Sequence, residues 1–191
     1  MSTKRITKVS PPISPASHHI PNTQQANRQT SNTNIAARNS PKSPKRPPEG
    51  FTVSLPPNAS VHTWHITLQP PPQSAFYPGR FGILLTLPTD YPFKPPVVKF
   101  VTRLYHPNVT NDSLGNVCLG ILKAENWKPS TKIVSVLEAV RNLLVEPQPD
   151  DPLEERIADE YRNDRATWEQ KAKAQVTKYA LEDPVFPATA N

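Results

Sequence analysis

The sequence predicts an α+β domain in which a four-stranded antiparallel sheet is followed along the chain by three helices. Between residues 51 and 101, short apolar or alternating segments are separated by turn residues, which is typical of strands. From residue 130 onward, apolar residues recur at the 3.6-residue spacing of helices. Because the strands follow one another closely, we expect an antiparallel meander flanked by helices.

The four predicted strands differ in their patterns. Their expected bounds are 51–55, 61–68, 80–87 and 97–101. The second strand places Trp64, Ile66 and Leu68 on one face, as expected when one face covers the core. The third strand is apolar throughout, which suits burial on both faces.

Three helices are predicted after a long loop. Their expected ranges are 130–145, 152–162 and a third from Asp164 to the Asp183-Pro184 stop. Short polar side chains that can accept a hydrogen bond from the first turn are the expected N-caps: Ser130, Asp151 and Asp164. The third helix carries an apolar stripe made of Trp168, Ala172, Val176 and Tyr179.

The charge distribution divides the chain into a tail and a folded block. Residues 1–50 hold eight Lys or Arg and one acidic residue, whereas every aromatic residue lies at or after Phe51. We therefore expect residues 1–48 to be a largely disordered basic segment rich in Pro, Ser and Asn. Residues 49–183 form the predicted domain, and residues 184–191 form a short C-terminal tail.

The remaining composition excludes several classes of protein. A single cysteine rules out an intramolecular disulfide and a multi-cysteine zinc cluster, and the histidines show no metal-ligand spacing, so we expect no metal site. No apolar stretch approaches the roughly 20 residues of a membrane helix, and the N-terminus has no apolar signal region. From these absences we expect no membrane partner and a cytoplasmic or nuclear location. Because residues 51–191 are nearly neutral, we expect no nucleic-acid binding.

Cys118 is the candidate nucleophile, and it lies in a loop at 104–129 that shows no clear period. Long loops of this kind inside compact domains are usually functional. The upstream triplet His106-Pro107-Asn108 is close enough to fold back on the thiol. An Asn108 amide aimed at a carbonyl oxygen would stabilise an oxyanion, and a thiolate is a natural acyl-carrying nucleophile. With His106 as general base the site would instead be papain-like, but the protease signatures around the cysteine are absent.

Several ordered motifs resemble those of the ubiquitin-conjugating enzymes, over roughly residues 50–181. The motifs are Tyr91-Pro92-Phe93-Lys94-Pro95-Pro96, Tyr105-His106-Pro107-Asn108, Val117-Cys118-Leu119, Trp127-Lys128-Pro129 and Pro147-Gln148-Pro149-Asp150-Asp151-Pro152-Leu153. Each motif is weak by itself. Their order and compatible spacing make the resemblance specific.

The resemblance implies a four-stranded sheet flanked by helices and an acyl transfer in two steps. Ubiquitin, held by its C-terminal glycine as a thioester on the activating enzyme, would move to Cys118 and then to a substrate lysine or a ligase cysteine. Because exchange between thioesters is nearly isoenergetic, such an enzyme mainly supplies position. The activating enzyme uses the ATP, so no cofactor is expected for this chain.

The resemblance also implies roles for individual residues. Cys118 matches the thioester-forming nucleophile. Asn108 matches an asparagine credited with oxyanion stabilisation or, as the alternative, with ordering the loop. His106 and Pro107 match structural residues beside the site. Asp151 matches an acidic residue that positions or deprotonates the incoming lysine, with helix capping as its alternative role.

The implied partners are ubiquitin, the activating enzyme and ligases of the RING, U-box and HECT types. Phe93, Lys128 and Pro129 match two loops that these ligases contact. An exposed aromatic side chain beside a proline makes a small apolar anchor. Core packing is the alternative role for Phe93.

The chain departs from the family pattern in its first helix. Lys4, Arg5 and Lys8 match the start of a basic helix that docks on the activating enzyme, but Pro11 and Pro12 prevent this helix from continuing. We therefore expect a disrupted first helix with a remnant at 3–8. The disruption keeps two alternatives open, namely transfer of another ubiquitin-like modifier and an inactive binding protein of the same fold.

Two further departures concern the loop around the thiol. Asn108 and Cys118 lie ten residues apart, about two more than in the commonest members. Gly120 stands where many lysine-directed members carry an acidic residue, and the stretch from Lys123 to Trp127 resembles members that transfer only to ligase cysteines. Asp151, in contrast, favours retained reactivity toward lysine.

Overall fold

The computed structural model describes residues 47–55, 61–112 and 115–187. The expected disordered segment up to residue 46, with the remnant helix and Lys4, Arg5 and Lys8, lies outside the described residues. In the described ranges, no helix is long and apolar enough to cross a membrane.

The four strands form one antiparallel sheet in the order β1-β2-β3-β4, which confirms the predicted meander. Their bounds are β1 Phe51–Ser54, β2 Thr63–Leu68, β3 Phe81–Thr86 and β4 Val97–Phe100. The register aligns Ile66 with Ile83 and Ile83 with Phe100. Cross-strand partners point to the same face, so one face of the sheet is apolar and faces the core.

The three helices follow the loop and contribute to the same hydrophobic core as the sheet. Their bounds are α1 Ile133–Val145, α2 Glu155–Asn163 and α3 Arg165–Tyr179. The core includes the predicted α1 stripe of Ile133, Val136, Leu137, Val140, Leu143 and Leu144. In α3, Trp168, Ala172 and Val176 are buried as predicted, but Tyr179 is exposed, and the buried residue at this end of the helix is Ala180.

Two of the three predicted N-caps are wrong. α1 begins at Ile133 after Lys132 rather than after Ser130, because the chain first closes a turn in which Thr131 N–H donates to Lys128 O at 2.8 Å. Asp164 does cap α3, since its carboxylate accepts a hydrogen bond from Thr167 N–H at 3.1 Å.

Asp151 does not cap α2, although it was predicted to do so, and the reason lies in the loop before Cys118. α2 begins at Glu155, because the N–H groups of Leu153 and Glu154 both donate to Pro107 O, at 2.8 and 3.0 Å. The segment after Pro152 is thus held against the loop before Cys118 instead of continuing into a helix. This arrangement leaves the Asp151 carboxylate available to face the thiol.

The C-terminal segment packs on the outer face of the sheet. The Phe186 ring stacks on His65 of β2, with ring centroids 4.3 Å apart and planes 7° apart. A Cβ at Gly82 would overlap Val101 and Pro184, so glycine is required for this close approach. The segment therefore covers part of β3, which agrees with the apolar run of that strand.

His106 ties the loop before Cys118 to α1. Its ring is fully buried, its Nδ1 accepts a hydrogen bond from Asn108 N–H at 2.9 Å, and its Nε2 lies 2.9 Å from Leu143 O. Because a carbonyl oxygen only accepts, Nε2 carries the proton and the ring is neutral. Burial lowers the pKa of His106 from 6.5 to about 4, since the charged form would lose its hydration.

The buried His106 predicts a stability that falls in mild acid. Its contribution is complete above pH 6.5, the pKa value in an unfolded chain, and is lost as the pH falls toward 4. The full difference amounts to about 3 kcal/mol. We expect the His106 ring resonances in NMR spectra to stay unshifted from about pH 8 to pH 5 while urea unfolding shows decreasing stability. A titration midpoint of that ring near pH 6.5 would contradict this assignment.

Candidate active site

Backbone pairing places Cys118 beside Asn108 despite the ten residues between them. Val109 and Val117 form an isolated antiparallel bridge, and Cys118 N–H donates to Asn108 O at 2.9 Å. Between Asn108 and Cys118, the Asp112 carboxylate accepts hydrogen bonds from Thr110 Oγ1 and Gly115 N–H, at 2.7 and 3.2 Å. The longer spacing therefore leaves the two site residues adjacent.

Gly115 is required where the chain passes close to Phe100, at the end of β4. It has φ of +56°, and a Cβ there would overlap the Phe100 carbonyl oxygen. Phe100 N–H in turn donates to Gly115 O at 2.8 Å. Gly115 is thereby fixed to the end of β4, which anchors the segment that carries the thiol.

The Asn108 side chain is almost fully buried and orders the loop at 148–151. Its Nδ2 donates to Gln148 O at 2.7 Å and to Asp151 O at 2.9 Å, and its Oδ1 accepts from Gln148 N–H at 2.9 Å. Both amide N–H groups are thus engaged by backbone carbonyls. This geometry matches the loop-ordering role of Asn108 more closely than the oxyanion role, which would need one of these N–H groups to be released.

The thiol, a carboxylate and an amine meet in one cluster. Cys118 is partly exposed, and its Sγ donates to Asp151 Oδ2 at 3.3 Å. The same oxygen accepts a hydrogen bond from Lys123 Nζ at 2.5 Å. The Asp151 carboxylate therefore contacts the nucleophile and a cation at once.

The electrostatics of the cluster favour a protonated thiol at rest. Partial burial raises the pKa of Cys118, the hydrogen bond to Asp151 and its negative charge raise it further, and the positive charge of Lys123 opposes them. Hydrogen bonds from Lys123 and from the thiol lower the pKa of Asp151, so its carboxylate is ionised. The same contact with Asp151 raises the pKa of Lys123, which stays an ammonium.

His106 lies near the site in sequence but does not serve it as a base. Its ring is buried, and both nitrogens are engaged, by Asn108 N–H and by Leu143 O. The contacts of Pro107 are also made within the fold, since its carbonyl oxygen holds the segment before α2. The papain-like arrangement is excluded because it requires an imidazole nitrogen that is free to accept the thiol proton.

Lys123 is a site residue that sequence reasoning missed. A 3-10 turn at Gly120–Leu122 follows the cysteine and is continued by a hydrogen bond from Lys123 N–H to Gly120 O at 3.2 Å. This turn brings the amine of Lys123 to the Asp151 oxygen that the thiol also contacts. The available signal was a lysine shortly after Cys118, but the residues between them showed no helical period to indicate the turn.

Gly120 itself is not required by the backbone. A Cβ at this position would meet no atom within 4 Å, and its φ lies outside the left-handed region. An acidic side chain would therefore fit at this position. Compared with family members that carry one, Gly120 changes the charge near the thiol and not the backbone.

A groove of about 660 Å³ lies next to the cysteine. It runs between the 3-10 turn, α1 and the loop that Asn108 orders. Its lining includes Leu119, Ile121, Asn142, Glu146, Pro147 and Gln148. The groove combines apolar walls with polar groups, as peptide-binding clefts do. Of the described residues, none form a group of three or more His, Cys, Asp or Glu side chains that would hold a metal ion.

Phe93 lies on the surface, so its alternative role in the core is wrong. Its exposed fraction is 78%, and Lys128 and Pro129 are exposed as well. Trp127 Nε1 donates to Pro92 O at 2.8 Å, which holds the two loops side by side. The three residues matched to ligase contacts therefore belong to two adjacent exposed loops.

The chain is similar in sequence to known proteins. The family model described as ubiquitin-conjugating enzyme matches residues 24–176. Ubiquitin-conjugating enzyme E2 14 of Schizosaccharomyces pombe is 50% identical over 117 residues, which cover 61% of this chain and 74% of the relative. Ubiquitin conjugating enzyme E2 B of Dictyostelium discoideum is 38% identical over 136 residues, or 71% of this chain and 89% of the relative. With its fold and these matches, the chain belongs to the ubiquitin-conjugating enzyme family.

Proposed function

We propose that this chain accepts ubiquitin from the activating enzyme as a thioester on Cys118 and transfers it to a substrate lysine or a ligase cysteine. The observation that carries the proposal is the partly exposed thiol in direct contact with the Asp151 carboxylate, at 3.3 Å. The family supports this chemistry, and no cofactor of this chain is required because the energy is already stored in the thioester that is delivered.

The first step is an exchange of thioesters at Cys118. The sulfur attacks the carbonyl carbon of the delivered thioester, a new C–S bond forms, and the thiol of the activating enzyme leaves. Cys118 must first lose its proton, since the thiolate is the nucleophile. The ammonium of Lys123 favours this thiolate, whereas the Asp151 carboxylate opposes it.

The groove beside Cys118 suits the C-terminal segment of ubiquitin. It begins at residues directly after the nucleophile and continues along α1. An extended chain whose last carbonyl is bonded to the sulfur would have to leave the site along a surface of this kind. Holding that segment would orient the thioester for attack.

The second step needs an acceptor nucleophile beside the thioester. Asp151 is ionised and lies against the sulfur, which supports a role in which it holds an incoming lysine by a charge-assisted hydrogen bond. This contact favours lysine as an acceptor even though Gly120 brings no additional acidic group.

The identity of the nucleophile is tested by charging the protein. Incubation with activating enzyme, ubiquitin and ATP should give an adduct that a thiol reductant removes. Cys118→Ala should abolish the adduct, and Cys118→Ser should give one that resists the reductant, because an oxygen ester replaces the thioester. An unmodified protein that remains folded by circular dichroism would instead support the inactive binding protein.

Asp151→Asn should change two rates in opposite directions. Removing the negative charge lowers the pKa of Cys118, so alkylation by iodoacetamide near neutral pH should accelerate about threefold or more. Discharge of the thioester to free lysine should slow, because the acceptor loses its ionic partner. Asp150→Asn is the matched control for alkylation and should leave that rate near the wild-type value. If Asp151→Asn changed neither the alkylation rate nor the discharge rate, the carboxylate would neither raise the pKa of Cys118 nor hold the acceptor lysine.

Phe93, Lys128 and Pro129 are proposed to contact RING, U-box or HECT-type ligases. Phe93→Ala should leave thioester formation intact and reduce ligase-stimulated discharge, because it removes an exposed aromatic anchor. Val185→Ala is the control, since Val185 is exposed to 89% and lies far along the chain from these loops. Equal ligase stimulation in wild type and Phe93→Ala would refute this surface.

A further inference from the structure

The loop at 147–151, which carries Asp151, has few backbone donors with which to order itself. Pro147 and Pro149 have no N–H group to donate. The hydrogen bond from Asp151 N–H to Gln148 O is long, at 3.4 Å. The position of the loop therefore depends on side chains that reach it from neighbouring elements.

Asn108 supplies one of these side chains, and Arg162 of α2 supplies another. Asn108 binds the backbone of Gln148 and of Asp151. Arg162 Nη2 donates to Pro149 O at 2.8 Å, at a residue between those two attachments. A hydrogen bond from a charged donor is stronger than one from a neutral donor. The loop is thus held from two separate segments of the chain.

The guanidinium of Arg162 is itself held in place on α2. Its Nη1 donates to Asp159 Oδ1 at 2.6 Å, and its Nη2 lies 3.4 Å from Glu155 Oε1, three and seven residues earlier on the same helix. The helix is fixed in turn by the burial of Ile157 and Ala158. The side chain therefore reaches the loop from a rigid element and in a defined direction.

We propose that Arg162 is a positioning residue, which acts through Pro149 O to hold the Asp151 carboxylate against the Cys118 thiol. This inference rests on the role proposed for Asp151 in transfer to lysine. Asp151 lies two residues after Pro149, and its Oδ2 is 3.3 Å from Sγ. The Asp151 side chain is 52% exposed, so the backbone that carries it largely decides where the carboxylate lies.

A loosened loop would change the site in two ways. The Asp151 carboxylate would spend part of its time away from the sulfur, so its contribution to the raised pKa of Cys118 would become smaller. It would also be out of place for part of the time when an acceptor lysine arrives. Loss of Arg162 should therefore change the same rates as Asp151→Asn, in the same directions and by a smaller amount.

The test combines Arg162→Met with Asp151→Asn in the full chain. Methionine keeps a long unbranched side chain but removes every donor. Two rates are measured, namely alkylation of the uncharged thiol by iodoacetamide near neutral pH and discharge of the ubiquitin thioester to free lysine. Urea unfolding followed by circular dichroism shows that each variant is folded. Arg156→Met is the matched control, since Arg156 is exposed on the same helix and its charge acts on Tyr105 and Lys171.

We expect Arg162→Met to slow discharge by about twofold to tenfold, the range for one lost hydrogen bond, and to accelerate alkylation by less than Asp151→Asn does. In the Asp151→Asn background, Arg162→Met should change neither rate further, because the charge that Arg162 positions is already gone. A residue that only stabilised the fold would act equally in both backgrounds. Arg156→Met should match the wild type, and Arg162→Lys, which keeps a cationic donor, should slow discharge less than Arg162→Met.

Other outcomes would overturn the inference in distinguishable ways. Wild-type rates in Arg162→Met, or equal effects of this substitution in both backgrounds, would refute the positioning role and leave the proposed function standing. If Arg162→Met is unfolded, Arg162→Lys is compared across the same two backgrounds by the same criteria. Absence of any thioester would remove the proposed function, whereas alkylation, which needs no ubiquitin, would still decide whether Arg162 acts through Asp151.

Discussion

The candidate site depends on the hydrogen bonds of one buried carboxamide. Asn108 binds Gln148 through both its oxygen and its nitrogen, and it binds the backbone of Asp151 through its second N–H. A buried amide whose groups are all paired is stabilising, whereas an unpaired one would cost about 1–3 kcal/mol. Because Cys118 is paired to the backbone of the same Asn108, this residue sets the position of the carboxylate relative to the thiol.

A second set of contacts fixes Asn108 itself. The neutral His106 ring accepts from Asn108 N–H and donates to Leu143 O of α1, so the loop is tied to a helix of the core. Pro107 O accepts two hydrogen bonds from the chain before α2. These interactions join distant parts of the sequence at one point, and they explain why the chain after Pro152 is not yet helical.

The environment of the cluster favours the protonated form of the thiol. The Asp151 carboxylate stabilises the protonated sulfur, while Lys123 neutralises part of the negative charge. The pKa of Cys118 is therefore raised by partial burial and by Asp151, and Lys123 opposes that shift.

Local patterns in the sequence were sufficient for the sheet and for the burial of the helices. Alternation placed Trp64, Ile66 and Leu68 on the core face, and the 3.6-residue period identified the buried stripe of α1, because burial is periodic along each element. The helix starts were less accurate, since Ser130 and Asp151 had the chemistry of caps but were drawn into turns. A cap is chosen by competition among hydrogen bonds, and Pro107 O lies more than 40 residues away along the chain.

The sequence by itself determined which atoms can react, because it contains one thiol, and the resemblance indicated Asn108 and Asp151 as its neighbours. Only the tertiary structure decided what those neighbours do. It committed the Asn108 amide to the loop, turned Asp151 toward the sulfur and brought Lys123 into the cluster. These outcomes depend on contacts between separate segments and on a short 3-10 turn, and neither leaves a periodic signal in the order of the residues.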